Sequence, residues 1–393
     1  MLVHSQRTPF RMQSLLLGSL ITNIGSSFIW PLTTVYIHDY LHKPLTTAGI
    51  VIFLNCFCSL IGNIVGGRLF DRWRPVATLA SGITISLTCC FTLIFAHGWP
   101  VYAVLLMLNG LGSGMINTAI NGFATQVPGK NASLVFNYLY FTSALGVVFG
   151  TLFVGIVLKL GIGRIFTVAS IMYGLFLLTV LVFYRGRQFA RSSFNHVTAR
   201  ERGHMSVPIV VVLLTVFTIW LFYEQWDSNV STYMIAKGLS FQTYSTVWTV
   251  NAGVIIVVQP FLTRLDGFLS RHLHGRLYLG LLFLATSFPV LARAGRYPEF
   301  VAAMILISLG EVLTLPAVST YVNRRAPVAQ RGSYQGFVQA AGSAGRAFGP
   351  LLGALLIEWT SYQLLFDVAF VALLLVTGGF MLTNKLTQDT VEN

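Results

Sequence analysis

Twelve long apolar runs, separated by short polar connections, divide this chain of 393 residues. A helix needs about 20 mostly apolar residues to cross a hydrocarbon core roughly 30 Å thick. In lipid each backbone N–H and C=O must find its partner within its own segment, so such runs are restricted to helices. The spans read from the sequence are roughly 12 to 35, 46 to 66, 76 to 96, 99 to 122, 134 to 158, 164 to 184, 207 to 230, 241 to 263, 276 to 293, 298 to 322, 333 to 357 and 362 to 384. The first run is longer than the apolar core of a signal peptide, about 7 to 15 residues, and lacks a small-residue cleavage site, so the mature chain is expected to keep it.

Charge supports the same reading. Asp, Glu, Lys and Arg make up 9% of the residues, against about 25% in soluble domains. The net charge of +13 would suggest nucleic acid as partner in a soluble protein. On a membrane protein it has a simpler cause, because Lys and Arg collect in cytoplasmic loops. With the N-terminus inside, 18 cations fall on inside segments, six outside, and Arg346 within a span. Both termini are therefore expected in the cytoplasm of a bacterial plasma membrane.

The longest polar interruption, 185 to 206, carries five arginines and divides the spans six and six. It reads as a cytoplasmic linker between an N-terminal half, 1 to 184, and a C-terminal half, 207 to 393. Three weak matches recur across it. Asp71 in GGRLFDRWR faces Asp266 in TRLDGFLSR, Gly110 faces Gly310, and Gly146 and Gly150 face Gly345 and Gly349. Offsets of 195, 200 and 199 residues argue for duplicated halves. That organisation places a binding site at the midplane between them.

At these residues the chain resembles the major facilitator superfamily. Gly67, Asp71, Arg72 and Arg74 are similar to that family's signature between its second and third helices, although Trp73 stands where glycine is usual. The resemblance implies that Asp71 caps a neighbouring helix N-terminus and, with the arginines, forms a cytoplasmic gate. Gly345, Gly349, Pro350 and Gly353 look like the glycine-proline motif that antiporters of the family carry in the fifth helix, here in the eleventh. Ordinary small-residue packing explains them equally well. The family's arginine in helix four is replaced by Leu106. The pattern is closest to the proton-driven multidrug antiporters of lactic acid bacteria, through Leu309-Gly310-Glu311-Val312 with Pro316, and through Gln225-Trp226-Asp227. Asn137 stands where those proteins have an acid in the fifth helix. The fold implied is all-α, twelve transmembrane helices in two pseudo-symmetric halves.

Ionisable residues inside spans are costly, by about 2.5 to 3.5 kcal/mol on insertion scales, and mark function unless permanently paired. All lie in the C-terminal half: Glu224, Asp227, Glu311 and Arg346. Glu311 and Arg346 fall at matching depth on consecutive spans, which suggests an ion pair that opens when Glu311 takes up a proton or a substrate. Glu224 and Asp227, three apart, fall on one helix face, where they would titrate together and attract organic cations. Trp30, Trp220, Tyr223, Trp226 and Trp248 are candidates for an aromatic cavity lining, and Asn23 and Asn137 are its polar counterparts. Interfacial anchoring and helix packing are the competing explanations.

Enzyme chemistry finds no footing. The histidines lie outside the spans or at their edges, the cysteines inside apolar runs, and no phosphate-binding Gly-Lys-Ser/Thr loop exists. The expectation is a monomeric secondary transporter in the lipid bilayer with no cofactor and no nucleic-acid partner. It would use the proton gradient to export lipophilic, often cationic, small molecules. A proton-coupled carrier of an anionic or polar solute, motivated by Arg346, and a non-transporting sensor or scaffold are the alternatives.

Overall fold

The computed structural model describes residues 11–29, 32–158, 160–184 and 205–392. Trp30 and the greater part of the linker expected at 185 to 206 lie outside the described residues. Among the described residues are twelve helices of 16 residues or more. In chain order they are α1 (Met12–Ser27), α2 (Leu45–Arg72), α3 (Pro75–Phe95), α4 (Val101–Ala124), α5 (Ala132–Leu158) and α6 (Ile162–Phe183). Then follow α7 (Val207–Ser228), α8 (Phe241–Arg264), α9 (Leu273–Arg293), α10 (Tyr297–Arg325), α11 (Arg331–Trp359) and α12 (Tyr362–Glu392). Eleven of these helical regions are long and apolar enough to cross a membrane. Their outward faces carry large apolar side chains such as Leu152, Ile156, Val257, Phe261 and Leu375. In water such faces would drive association, whereas lipid tails solvate them.

The first apolar run departs from the sequence expectation of one helix over 12 to 35. Helix α1 ends at Ser27, and the chain resumes as a short helix, Leu32–Val35, followed by a π-helical turn, Tyr36–Tyr40. The sequence supplies a reason, since Pro31 has no N–H to continue an α-helical ladder. Helix α7 is likewise interrupted at Asn229 before a short helix, Val230–Ala236.

The chain divides into two compact units, Met1–Arg202 with Ala326–Ala340, and Gly203–Arg325 with Ala341–Asn393. The start of α11 thus packs with the first unit. Within that unit α1 packs on α5 and α6, α3 on α4 and α6, and α2 on α4. The second unit repeats these pairings: α7 packs on α12, α9 on α10 and α12, and α8 on α10.

Glycines set the closest approaches. In α3 and α4, a Cβ on Gly82 would come within 3.0 Å of the Gly112 carbonyl oxygen, and a Cβ on Gly112 within 2.9 Å of the Gly82 carbonyl oxygen. Gly280 of α9 and Gly310 of α10 stand in the same reciprocal relation, at 3.2 and 2.8 Å. The structural partner of Gly310 is therefore Gly112, not the Gly110 suggested by sequence matching. Gly110 packs on the backbone of Asn55 in α2 instead. The match of Gly146 and Gly150 with Gly345 and Gly349 holds in space. The first pair abuts Leu20 and Ile24 of α1 through their carbonyl oxygens, and the second abuts Phe217 and Leu221 of α7 in the same way.

Candidate functional site

The second unit holds a buried polar cluster on α7, α8 and α10. Glu311 is the middle residue of the 29-residue α10, about 20 Å from either end at 1.5 Å per residue. The Tyr223 hydroxyl of α7 donates to Glu311 Oε2 at 2.9 Å. Asn251 of α8 directs its Nδ2 to Ser308 Oγ at 2.9 Å, Glu311 Oε2 at 3.3 Å and Tyr223 Oη at 3.4 Å. Ser308 donates its own proton to the Met304 carbonyl at 2.7 Å, so it accepts from Asn251. Tyr223 spends its proton on Glu311 and accepts in the same way. Two donors, the Tyr223 hydroxyl and the Asn251 amide, thus converge on the carboxylate. Tyr223, Asn251 and Glu311 are each at most 9% exposed, a depth at which an unpartnered polar group would be costly.

An aromatic frame continues from this cluster. Trp220 and Trp248 set their rings edge-on to Tyr223, with centroids 5.4 and 6.3 Å away. The Arg346 guanidinium lies over the opposite part of the frame, its Cζ 4.3 Å from the Trp220 ring centroid. Its hydrogen-bond partner is Ser343 Oγ at 3.3 Å. Matching depth had suggested a direct pair between Arg346 and Glu311. In the structure the guanidinium is instead stacked on Trp220, and Trp220 and Tyr223 stand between the two charges. Arg346 is half-buried and sits next to the middle of α11.

The two acids of α7 differ in exposure. Glu224 is buried, its Cβ 3.1 Å from where a Cβ on Gly349 would be, whereas Asp227 is exposed. Three residues leave two side chains about 60° apart around a helix, enough for one to face α11 and the other to open away from it. The glycine motif of α11 is packed against α7 at each step. A Cβ on Gly345 would meet the Phe217 carbonyl, one on Gly349 the Leu221 carbonyl, and one on Gly353 the Gln225 side chain. Gln225 itself, fully buried, donates to the Gly349 carbonyl at 2.8 Å and accepts from Asn229 at 2.6 Å. Pro350 directly follows that carbonyl.

Other residues singled out from sequence have different surroundings. Trp226 and Asn137 are fully buried and present no surface to a solute in this structure. Asn23 donates to the Ser19 carbonyl of its own helix at 2.8 Å. Asp71 ends α2 and receives N–H bonds from Gly332 at 2.9 Å and Ser333 at 2.6 Å, the first turn of α11. A carboxylate there satisfies two donors that have no intrahelical partner and opposes the helix dipole. Gly67 permits the approach, since a Cβ would meet the Gly332 carbonyl at 2.8 Å. Arg72 and Arg74 are exposed beside it. Sequence reasoning missed Asn251 and Ser308, and named Gln225 only as part of a motif. Their signal was available: each is a hydrogen-bonding residue well inside an apolar run, and Ser308 precedes Glu311 by three.

Comparison with known proteins agrees with this architecture. A family model described as Major Facilitator Superfamily matches residues 15–286 and 267–390. The chain is 33% identical over 387 residues to an uncharacterized MFS-type transporter, YttB, of Bacillus subtilis, covering 98% of both chains. It is 23% identical over 358 residues to the multidrug resistance protein MdtG of Proteus mirabilis, covering 86% of each. Among solved structures, a bacterial homologue of the iron transporter ferroportin in an outward-facing state superposes with a TM-score of 0.79 at 15% identity, covering 96% of this chain and all of that one. That likeness concerns the fold. Twelve helices, the duplicated glycine contacts and the family match together identify the chain as a multi-pass membrane transporter, not an enzyme, that belongs to the Major Facilitator Superfamily.

Proposed function

We propose that this transporter couples proton movement to the export of lipophilic cations by alternating access. The observation that carries the reading is the convergence of Tyr223 and Asn251 on Glu311 at mid-helix, beside an aromatic frame and two further carboxylates. Protonation of Glu311 removes the negative charge at the centre of the cluster, and loss of the proton restores it. A bound cation favours the ionised state and a proton competes with it, so one site can serve both in turn. Such exchange moves the conformational equilibrium only if the two ligands prefer different states. Trp220, Tyr223 and Trp248 offer π-faces to a cation, while Glu224 and Asp227 add negative charge at the end of α7. Relatives named as multidrug resistance proteins support the substrate class.

The test is transport in proteoliposomes under an imposed pH gradient, with a panel of cationic, neutral and anionic compounds. Cation movement that is driven by the gradient and abolished by Glu311→Gln is the expected result. Gradient-driven transport unchanged by that substitution removes Glu311 from the mechanism. A second reading, transport of an anionic solute, is favoured by one observation. Arg346 is half-buried near mid-helix, stacked on Trp220 and bonded to Ser343, where a cation can hold an anion. Movement of anions alone in the same assay selects it.

A further inference from the structure

A second buried arginine lies close to the cluster and has a different task. Arg276, in the first turn of α9, is 3% exposed. Its Nε donates to the Leu313 carbonyl at 2.9 Å and its Nη2 to the Val312 carbonyl at 3.2 Å, both on α10. These acceptors stand three and four residues before Pro316, which lies inside α10. Proline has no N–H, so the Val312 carbonyl loses its intrahelical donor, and the ring crowds that same carbonyl. A buried orphan carbonyl is costly, most of all in a membrane. Arg276 supplies the missing donor from the neighbouring helix. The planar guanidinium fork suits the task because it spans two successive carbonyls at once, which a lysine ammonium cannot do in that geometry.

The internal duplication provides a control. Gly82 and Gly112 correspond to Gly280 and Gly310 at a spacing of 198 residues. On that spacing Arg276 corresponds to Thr78 and Pro316 to Thr118. Thr78 donates to the Arg74 carbonyl of its own helix, and Thr118 donates to Asn63. The first unit therefore lacks the proline, keeps a backbone N–H at that place, and lacks the arginine. Proline and arginine are present or absent together.

Val312 directly follows Glu311. We propose that Arg276 is a positioning residue for Glu311, standing in for the donor that Pro316 lacks and fixing the turn of α10 that presents the carboxylate to Tyr223 and Asn251. The proposal rests on the reading of Glu311 as the coupling residue, but its test does not require transport. Full-length protein in detergent is treated with dicyclohexylcarbodiimide, and modification of Glu311 is followed by mass spectrometry, with Glu224 and Asp227 as internal references. In Arg276→Met the modification rate of Glu311 relative to the references changes by roughly tenfold, the size expected from orphaning one buried carbonyl. Arg276→Lys falls between. In the double variant Arg276→Met with Pro316→Ala, the alanine N–H satisfies Val312 and the rate returns to that of the parent. If Arg276→Met accumulates poorly, recovery of accumulation in the double variant reports the same rescue. An unchanged rate in Arg276→Met, or a double variant no closer to the parent than the single one, overturns the proposal. Retention of gradient-driven transport by Glu311→Gln would instead defeat the coupling reading while leaving the labelling result intact.

Discussion

The two units share their close contacts and differ in what those contacts enclose. In the first, the tight turns of α3 and α4 meet at Gly82 and Gly112, and α5 lies on α1 through Gly146 and Gly150. In the second, Gly280 with Gly310, and Gly345 with Gly349, do the same. Yet among the described residues the interior of the first unit is neutral. Asn55 bonds to the Leu106 carbonyl, Thr118 to Asn63, and Ser19 to Ser143. The second contains Glu224, Asp266, Arg276 and Glu311. Membrane helices associate by close packing, so the contacts that define the fold are made by residues with no chemistry of their own. That leaves polar positions free to diverge without disturbing the frame.

This comparison breaks first if the glycine pairs are not equivalent. Gly112→Leu and Gly310→Leu should each cost about 3 kcal/mol or more through overpacking, and recovery of folded protein by size exclusion should fall alike for both. Gly174→Leu, where a Cβ meets open space, is the control expected to fold. Next in size is the functional asymmetry. Glu311→Gln should lower gradient-driven transport by about two orders of magnitude, the lower range for loss of a positioned proton-transfer group. Asn137→Ala, in the first unit, should leave the dependence on the gradient in place. Arg346→Gln should remove a cation–π contact of about 0.5 to 2 kcal/mol and shift compound preference toward cations, as read in competition assays. The smallest effect is expected at Asp71→Ala, about 1 kcal/mol from loss of the α11 cap, measured as a lowered midpoint of thermal unfolding.

The fold was legible because lipid imposes length and hydropathy on every span, and those properties need no knowledge of neighbours. The second to twelfth helices begin and end within a few residues of their apolar runs, apart from α2 and α12, which continue further into polar sequence. The first run was misread as continuous because apolar character persists beyond Ser27, where α1 ends. Within the site, a search by charge found Glu311 and Arg346 but overlooked Asn251, which donates to the carboxylate, and Ser308, which accepts from Asn251. It also joined Glu311 to Arg346, since depth along two helices says nothing of azimuth. Trp226 shows the same gap. Six residues from Trp220, it lies about 240° around α7, so the two rings cannot face one surface, and Trp226 is wholly packed.

The reciprocal glycine contacts act as a reading frame for the duplicated halves. Gly82 and Gly112 keep a spacing of 198 residues to their counterparts, Gly146 and Gly150 one of 199, and Asp71 one of 195. Length has therefore changed by three residues between α2 and α3 relative to α8 and α9, where the second unit carries the extra helix Asp266–Arg271. One residue more was gained between α10 and α11 relative to α4 and α5, and none between the paired glycines of α3 and α4 or of α9 and α10. A single inserted residue inside α4 or α10 would turn everything beyond it by about 100° and set a side chain against a neighbouring backbone. Insertions and deletions in this chain are thus confined to its turns, which is where length variation among its relatives should be sought.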